Sequence, residues 1–288
     1  MIKAEPRRLS AGREREGRGA MIWADFHMHT AASEDSDAPI AAMFDAAVSG
    51  GFQVVAVTDH VEMTGFRELG YDLAAEESWR MMEETIPAYA GRLRVARGVE
   101  LGQPLYDLAA AERVLAAHPY DFVLGSQHKL GDEVDYYFYD YTHVDVGEAM
   151  DRYFDATLEL VKWGRFHSLA HLTYPFRYIP AEKRPADYSR WQDRIDAVFR
   201  ALRDRDIALE INVSGLRNPL VNSAHPDLPL VRRFRELGGE KITVGADAHR
   251  PEDVGAHIRD GLLIAREAGF RYTAVYFDGR AEMCAIEL

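Results

Sequence analysis

The chain has a single cysteine, Cys284, among its 288 residues. That scarcity excludes an intrachain disulfide framework and a thiolate-held zinc site, so any bound metal must be held by nitrogen and oxygen. Long apolar runs are missing too, since no stretch approaches the roughly 18 residues that suggest a membrane span. Positive charge is in deficit: 34 Lys and Arg stand against 47 Asp and Glu, a formal net charge of −13. This balance argues against nonspecific adhesion to a nucleic-acid backbone or an anionic membrane, and neither is expected as a partner. The first residues lack the apolar segment of a secretory signal, and a cytoplasmic setting is expected. Residues 1–20 are Arg-rich and read as a flexible extension, with Met21 as an alternative start. A transit peptide is the weaker reading, because Glu5, Glu14 and Glu16 are out of place in one.

What is present suits a globular enzyme: 47% hydrophobic and 28% charged residues, in a length that matches one complete α/β barrel over residues 21–288. Seven short apolar stretches each read as ending in one or more metal-capable side chains, the sixth being followed by Arg217. The first closes with Asp25-Phe26-His27-Met28-His29, the second with Thr58-Asp59-His60, and the third with Glu100. His128, His171, Arg217 and the pair Asp247 and His249 follow the other four. Helical spacing lies between them, at 40–48, 74–90, 107–117, 145–163, 187–203, 227–237 and 253–268. Strand and helix in alternation imply a parallel sheet with crossover helices, one unit short of an eightfold barrel. Pro39 suits the start of the first helix, and Gly50-Gly51 its end. The tail, with Asp278-Gly279 between alternating residues, reads as a hairpin or a closing strand.

In such a barrel the ends of the strands carry the reactive rim. Residues two apart on a strand share a face, so His27 and His29 converge while Phe26 and Met28 face away, and Asp247 shares a face with His249. Of the adjacent pair, His60 has the stronger claim to metal, with Asp59 a structural acid or a proton donor. Asp25 reads as an orienting group behind the ligands. Imidazole and carboxylate without thiolate suit zinc, manganese or iron. His118 and His257 read as surface residues, and His167 as facing a loop or the far end of the barrel. His143 and His225 sit in rim loops where they can meet substrate. Arg232, Arg233 and Arg235 read as a solvated helix face. Two long irregular segments, 129–144 and 174–186, follow candidate ligands. The first holds Tyr136, Tyr137, Phe138, Tyr139 and Tyr141, either a pocket lining or a covering flap.

These motifs together resemble the polymerase and histidinol phosphatase (PHP) superfamily, on its histidinol-phosphatase branch. The resemblance is carried by Asp25-x-His27-x-His29-Thr30, Thr58-Asp59-His60, Gly98-Val99-Glu100, Gly125-Ser126-Gln127-His128, Ala170-His171, Glu210-Ile-Asn212-Val-Ser214-Gly215-Leu-Arg217 and Gly245-Ala-Asp247-Ala-His249. It implies a distorted (β/α)7 TIM-like barrel with three divalent ions at the C-terminal ends of the strands. By that pattern His27, His29, Glu100 and Asp247 hold the first ion, and Glu100 bridges to a second held by His128 and His171. A third takes His60, His249 and Asp35, the last being the residue that favours the histidinol-phosphatase branch.

The chemistry implied is phosphoester hydrolysis. A water shared by two divalent ions loses its proton near neutral pH, and the same ions offset the charge of the phosphate it attacks. Asp247, Arg177 and Arg217 are the expected catalytic residues. Arg177 and Arg217, with Lys129 and His225, are also the expected substrate contacts, since a guanidinium grips two phosphoryl oxygens at once. The substrate implied is a small phosphorylated metabolite, histidinol phosphate first, whose imidazole and ammonium would call for Asp132, Glu133, Asp135 or the loop tyrosines. Another sugar, nucleotide or amino-alcohol phosphate, a phosphodiester, or a non-catalytic metal-stabilised module are the rivals. The chain departs from the family at Leu172-Thr173, where Leu-Asp is usual, and this bears on substrate more than on metal. Oligomeric state is open.

Overall fold

The computed structural model describes residues 22–130 and 133–288, so the extension expected at 1–20 and the candidate contact Asp132 lie outside the described residues. The element order is β1 (Ala24–Asp25), α1 (Ile40–Ser49), β2 (Val54–Val57), β3 (His60–Glu62), α2 (Tyr71–Thr85), β4 (Arg94–Gly102), α3 (Leu108–Ala117), β5 (Phe122–Ser126) and α4 (Val146–Trp163). It continues with β6 (Ser168–Leu169), α5 (Gln192–Arg205), β7 (Ala208–Asn212), α6 (Leu228–Glu236), β8 (Ile242–Gly245), α7 (Ile258–Glu267), and a terminal antiparallel hairpin of β9 (Tyr272–Phe277) and β10 (Arg280–Ala285).

The strands before the hairpin pair in parallel, in the order β1-β2-β4-β5-β6-β7-β8, with β3 beside the upper half of β4. β2 and β3 are one strand interrupted at Thr58-Asp59: Val57 faces Arg97 and His60 faces Glu100, the same sequence offset on both sides of the break. The sheet returns on itself where Phe26 N donates to Val244 O (3.0 Å) and Asp247 N to His27 O (2.8 Å). The result is the distorted seven-unit barrel that the strand–helix alternation predicts.

Helix bounds moved where local chemistry competes. α2 stops at Thr85 because Pro87 brings no N–H, and a 3-10 turn (Ile86–Tyr89) carries the chain on. α7 begins at Ile258 rather than 253, after a 3-10 turn (Pro251–Asp253) and the left-handed Gly255. Asp107, Asp145 and Asp227 cap α3, α4 and α6 by accepting backbone N–H groups of the first turn.

Alternation along the strands sorts the core into two layers. Val55, Val57, Val95, Val99, Val123, Leu209 and Ile211 belong to the layer that packs with the helices. Phe26, Val54, Ala56, Ala96, Phe122, Leu124 and Ala208 fill the barrel, joined by Ala274, Val275, Tyr276 and Cys284 of the hairpin. The hairpin therefore plugs the end of the barrel where the strands begin. His167 lies at that end, stacked on Phe122 and tilted against Tyr276, with Nδ1 accepting from Val123 N (2.8 Å). Continuing up the same strand faces by twos leads from Ala96 to Glu100, from Leu124 to Ser126, and from Ala208 to Glu210 and Asn212. The apolar filling gives way to a polar upper floor.

One alternation argument fails. Phe26 does not face away from the interior: it packs edge-on to Phe122 (5.1 Å) inside the barrel, one residue before His27, which also points inward. β1 ends at Asp25, and beyond it the chain leaves the strict period of two. Met28 does go to the outer layer.

Candidate metal centre

At the C-terminal ends of the strands the structure brings His27, His29, Asp35, His60, Glu100, His128, His171, Asp247 and His249 to one mouth of the barrel. His27 Nε2 lies 3.0 Å from both His29 Nε2 and Glu100 Oε2. Asp247 Oδ1 stands 3.6 Å from His27 Nε2 and 3.4 Å from His29 Nε2. Glu100 turns its other oxygen to His171 Nε2 (2.9 Å) and His128 Nε2 (3.1 Å), and those two nitrogens are 3.2 Å apart. On the outer side Asp35 Oδ2 meets His249 Nε2 at 3.0 Å and His60 Nε2 at 3.6 Å.

The hydrogen bonds behind these rings fix what the inner atoms can be. His27 Nδ1 is 2.6 Å from the carboxylate of Glu210 and so donates to it. Ser33 Oγ donates to Asp59 (2.9 Å) and therefore accepts from His29 Nδ1 (3.0 Å). Both Nε2 atoms then face one point that Glu100 and Asp247 also face; burial opposes a proton on His27, but Glu210, Asp247 and Glu100 raise its pKa well above the ordinary value, so in the ion-free site a proton stands where a cation would. Four electron pairs at such spacings repel unless protons or a cation stand among them. Ligands on a tetrahedral divalent ion sit about 3.4 Å from one another, the spacing found here. The donor set fits a divalent metal.

Electrostatics agree. Burial opposes charge on Glu100, yet the imidazoles of His60, His27 and His128 outweigh it and hold its carboxyl well below the usual range. Burial lowers His29 to about 3, aided by His249 and His60, and takes His171 to about 4, so both are neutral and able to bind metal. Burial also acts against a proton on His60, but Glu100 and Asp35 carry it to about 9. Asp247 and His171 hold left-handed backbones (φ 54° and 45°), so loop conformation rather than strand alternation aims them.

Glu62 was not singled out from the sequence, and Glu210, Asn212 and Ser214 stood there only within a motif, without a role. Glu62 lies 2.8 Å from His128 Nδ1, and its place two residues after His60 on β3 was the available signal. Glu210 supports His27 in the same way, while burial pushes its own pKa to about 7. Asn212 Nδ2 and Ser214 Oγ reach Asp247 Oδ2 at 3.2 and 3.3 Å. Asp59 proves to be structural: it accepts from Thr30 N, Thr30 Oγ1, Ser33 Oγ and Ser78 Oγ. Asp25 orients backbone rather than a ring, accepting from Ala246 N and Gly255 N (2.9 Å each).

A cleft of about 740 Å³ opens over the cluster, and Lys129 and Arg177 line it. Arg177 Nη1 approaches Asp247 Oδ2 (3.4 Å), while its buried Nε and Nη2 have no hydrogen-bond partner among the described residues. Arg217 does not line the cleft: its guanidinium is committed to Ala246 O (2.5 Å), Asp247 O (3.0 Å) and Asp253 (3.5 Å), behind the Asp247 loop. The expectation that it grips phosphate is corrected by those contacts. His225 is likewise withdrawn from the cleft, buried with Nδ1 on Thr173 Oγ1 (2.9 Å) and its backbone paired to Asn212. His143 is exposed and bonded to Asp140, away from the cleft. Glu133 is engaged by Arg152 and Tyr139.

The aromatic loop divides its labour. Tyr136 and Tyr141 are buried, whereas Val134, Asp135, Tyr137 and Phe138 line the cleft. His118 is not a plain surface residue, being stacked on Trp79 (4.5 Å), and Arg233 is not merely solvated, because it makes a two-pronged contact with the buried Asp196 of α5.

Comparison with known proteins places these features. Residues 25–214 match the PHP domain. The chain is 26% identical to the histidinol-phosphatase of Lactococcus lactis over 258 residues, covering 88% of this chain and 93% of that protein. It is 29% identical to a probable histidinol-phosphatase of Thermotoga maritima over 256 residues, with coverages of 89% and 96%. Among solved structures, the histidinol phosphate phosphatase of Lactococcus lactis complexed with zinc, L-histidinol and phosphate superposes with a TM-score of 0.79 at 23% identity, over 90% of this chain and 98% of that one.

Proposed function

The chain belongs to the PHP domain family, and from that premise we propose that it is a metal-dependent phosphomonoesterase whose substrate is L-histidinol phosphate, acting in the cytoplasm in histidine biosynthesis. The observation that carries the reading is the convergence of His27, His29, Glu100 and Asp247 on one point, with the buried, unpartnered donors of Arg177 close by. We assign a first ion to those four ligands, a second to Glu100, His128 and His171, and a third to Asp35, His60 and His249. Zinc, manganese and iron all suit such donors. When bound, the ions supply Lewis acidity and bring the pKa of a water close to neutral.

The chain's own groups do the rest. Arg177 offers Nε and Nη2 to two phosphoryl oxygens and so stabilises the charge that grows on the transferring group. Lys129 adds a second positive charge from the cleft wall. Asp247 is held in place through its outer oxygen by Asn212 and Ser214.

The wall beside Arg177, whose guanidinium lies over the Tyr174 ring at 5.0 Å, suits a cationic alcohol. Tyr174, Tyr178 and Tyr137 succeed one another edge to face at 5.1 and 5.2 Å, and Tyr174 donates to Asp135 (2.8 Å). A carboxylate set among aromatic rings favours an ammonium or imidazolium, and histidinol carries both kinds of group.

The test is phosphate release by purified protein from a panel of phosphate esters that includes L-histidinol phosphate, with and without EDTA. Metal-restored hydrolysis with histidinol phosphate as the preferred ester is the expected result. Preference for a nucleotide or sugar phosphate would overturn the substrate. Metal-dependent folding without hydrolysis of any ester would leave a binding module.

A further inference from the structure

We propose that Glu62 is a positioning residue that couples the ions assigned to His128 and to His60, and that residue 102 is glycine to make room for its carboxylate. The proposal rests on the phosphatase reading of the site. Glu62, Gly102 and Ser126 lie in register across β3, β4 and β5, so their side-chain positions share the inward face. A Cβ on Gly102 would stand 2.2 and 2.3 Å from the two carboxylate oxygens of Glu62. Gly102 is not in the left-handed region, so the backbone does not ask for glycine there; the space does.

Glu62 is buried, lines the cleft, and places Oε1 2.8 Å from His128 Nδ1 and 3.7 Å from His60 Nδ1. The short contact fixes the tautomer of His128 so that Nε2 turns its lone pair toward His171 and Glu100. The longer one brings the same oxygen to a ligand of a different ion. Oε2 has neither solvent contact nor a partner among the described residues. Glu62 thus ties two sets of ligands together while ligating neither.

Glycine at 102 supplies an independent handle. Gly102→Ala should displace the Glu62 carboxylate without deleting it, so it should reproduce Glu62→Ala. In the double variant the two effects should not add, because the second change acts only through a group already gone.

The experiment measures metal content per chain by mass spectrometry after dialysis of wild type and variants against graded chelator, with thermal melting in excess metal as the control for folding. Glu62→Ala and Gly102→Ala are each expected to weaken retention of two ions by about 10–100-fold, leaving the ion of His27 and His29 in place. Glu62→Gln, which keeps an acceptor for His128, should fall between. Wild-type retention in Glu62→Ala, or additive losses in the double variant, would overturn the proposal. A wild-type chain that retains no ion would instead overturn the phosphatase reading beneath it.

Discussion

Arg177 and Asp247 approach one another at 3.4 Å, Nη1 to Oδ2, across the floor of the cleft. The contact uses one corner of the guanidinium, while Nε and Nη2 stay buried without a hydrogen-bond partner among the described residues. Arg217, on the far side of the same aspartate, reaches only its backbone.

The two arginines should therefore fail differently. Arg177→Ala is expected to lower kcat/KM by about 10²–10³-fold, the scale for losing one donor to a developing oxyanion, with metal content unchanged. Arg177→Lys should recover little, since an ammonium cannot grip two oxygens. Arg217→Ala should loosen the Asp247 loop, lowering kcat and metal retention together while inhibition by inorganic phosphate stays as in wild type. Steady-state kinetics beside metal analysis decide this, and weakened phosphate inhibition in Arg217→Ala would return that residue to the substrate.

Metal uptake should release protons. In the ion-free protein Glu100 and Asp35 carry His60 to about 9, so it is protonated at pH 7. A cation requires its lone pair, and the proton must leave. Apparent metal affinity is accordingly expected to rise with pH across the neutral range. Calorimetric titration at pH 7 in buffers of different ionisation enthalpy measures the release; heats that do not vary with buffer would contradict it.

Asp135 should matter only for a charged alcohol. Asp135→Asn is expected to raise KM for L-histidinol phosphate roughly tenfold, the worth of a charged contact near 1.5 kcal/mol, and to leave hydrolysis of p-nitrophenyl phosphate almost unchanged. Equal loss on both esters would remove Asp135 from the recognition of the leaving group.

Acid should strike at the opposite end of the barrel. Burial lowers His167 to about 4, below the ordinary 6.5, so the folded state keeps it neutral while the unfolded chain takes up a proton. Its contribution is whole above pH 6.5 and falls as pH drops toward 4, by about 3 kcal/mol over that window. His167→Asn keeps an acceptor for Val123 N. The variant should flatten the decline of Tm between pH 6.5 and 4, and a slope equal to wild type would show that other groups set it.

The strands and their ligands could be read from the chain because period-two alternation fixes which side chains turn inward, and His60, Glu100 and Glu210 obey it. Asp247 and His171 were legible only by motif, since their left-handed backbones break that rule. Long side chains were the least legible. Whether Arg217 swings over the cleft or behind the Asp247 loop depends on a rotamer and on carbonyls presented by the distant loop after β8. Glu62 escaped notice because an acid on a short strand looks like any edge residue until the space over Gly102 is seen.

The hairpin of β9 and β10 stoppers the barrel from below, and among the described residues this leaves the cleft at the other mouth as the door to the reaction chamber. Ester, alcohol and orthophosphate must all pass it in turn.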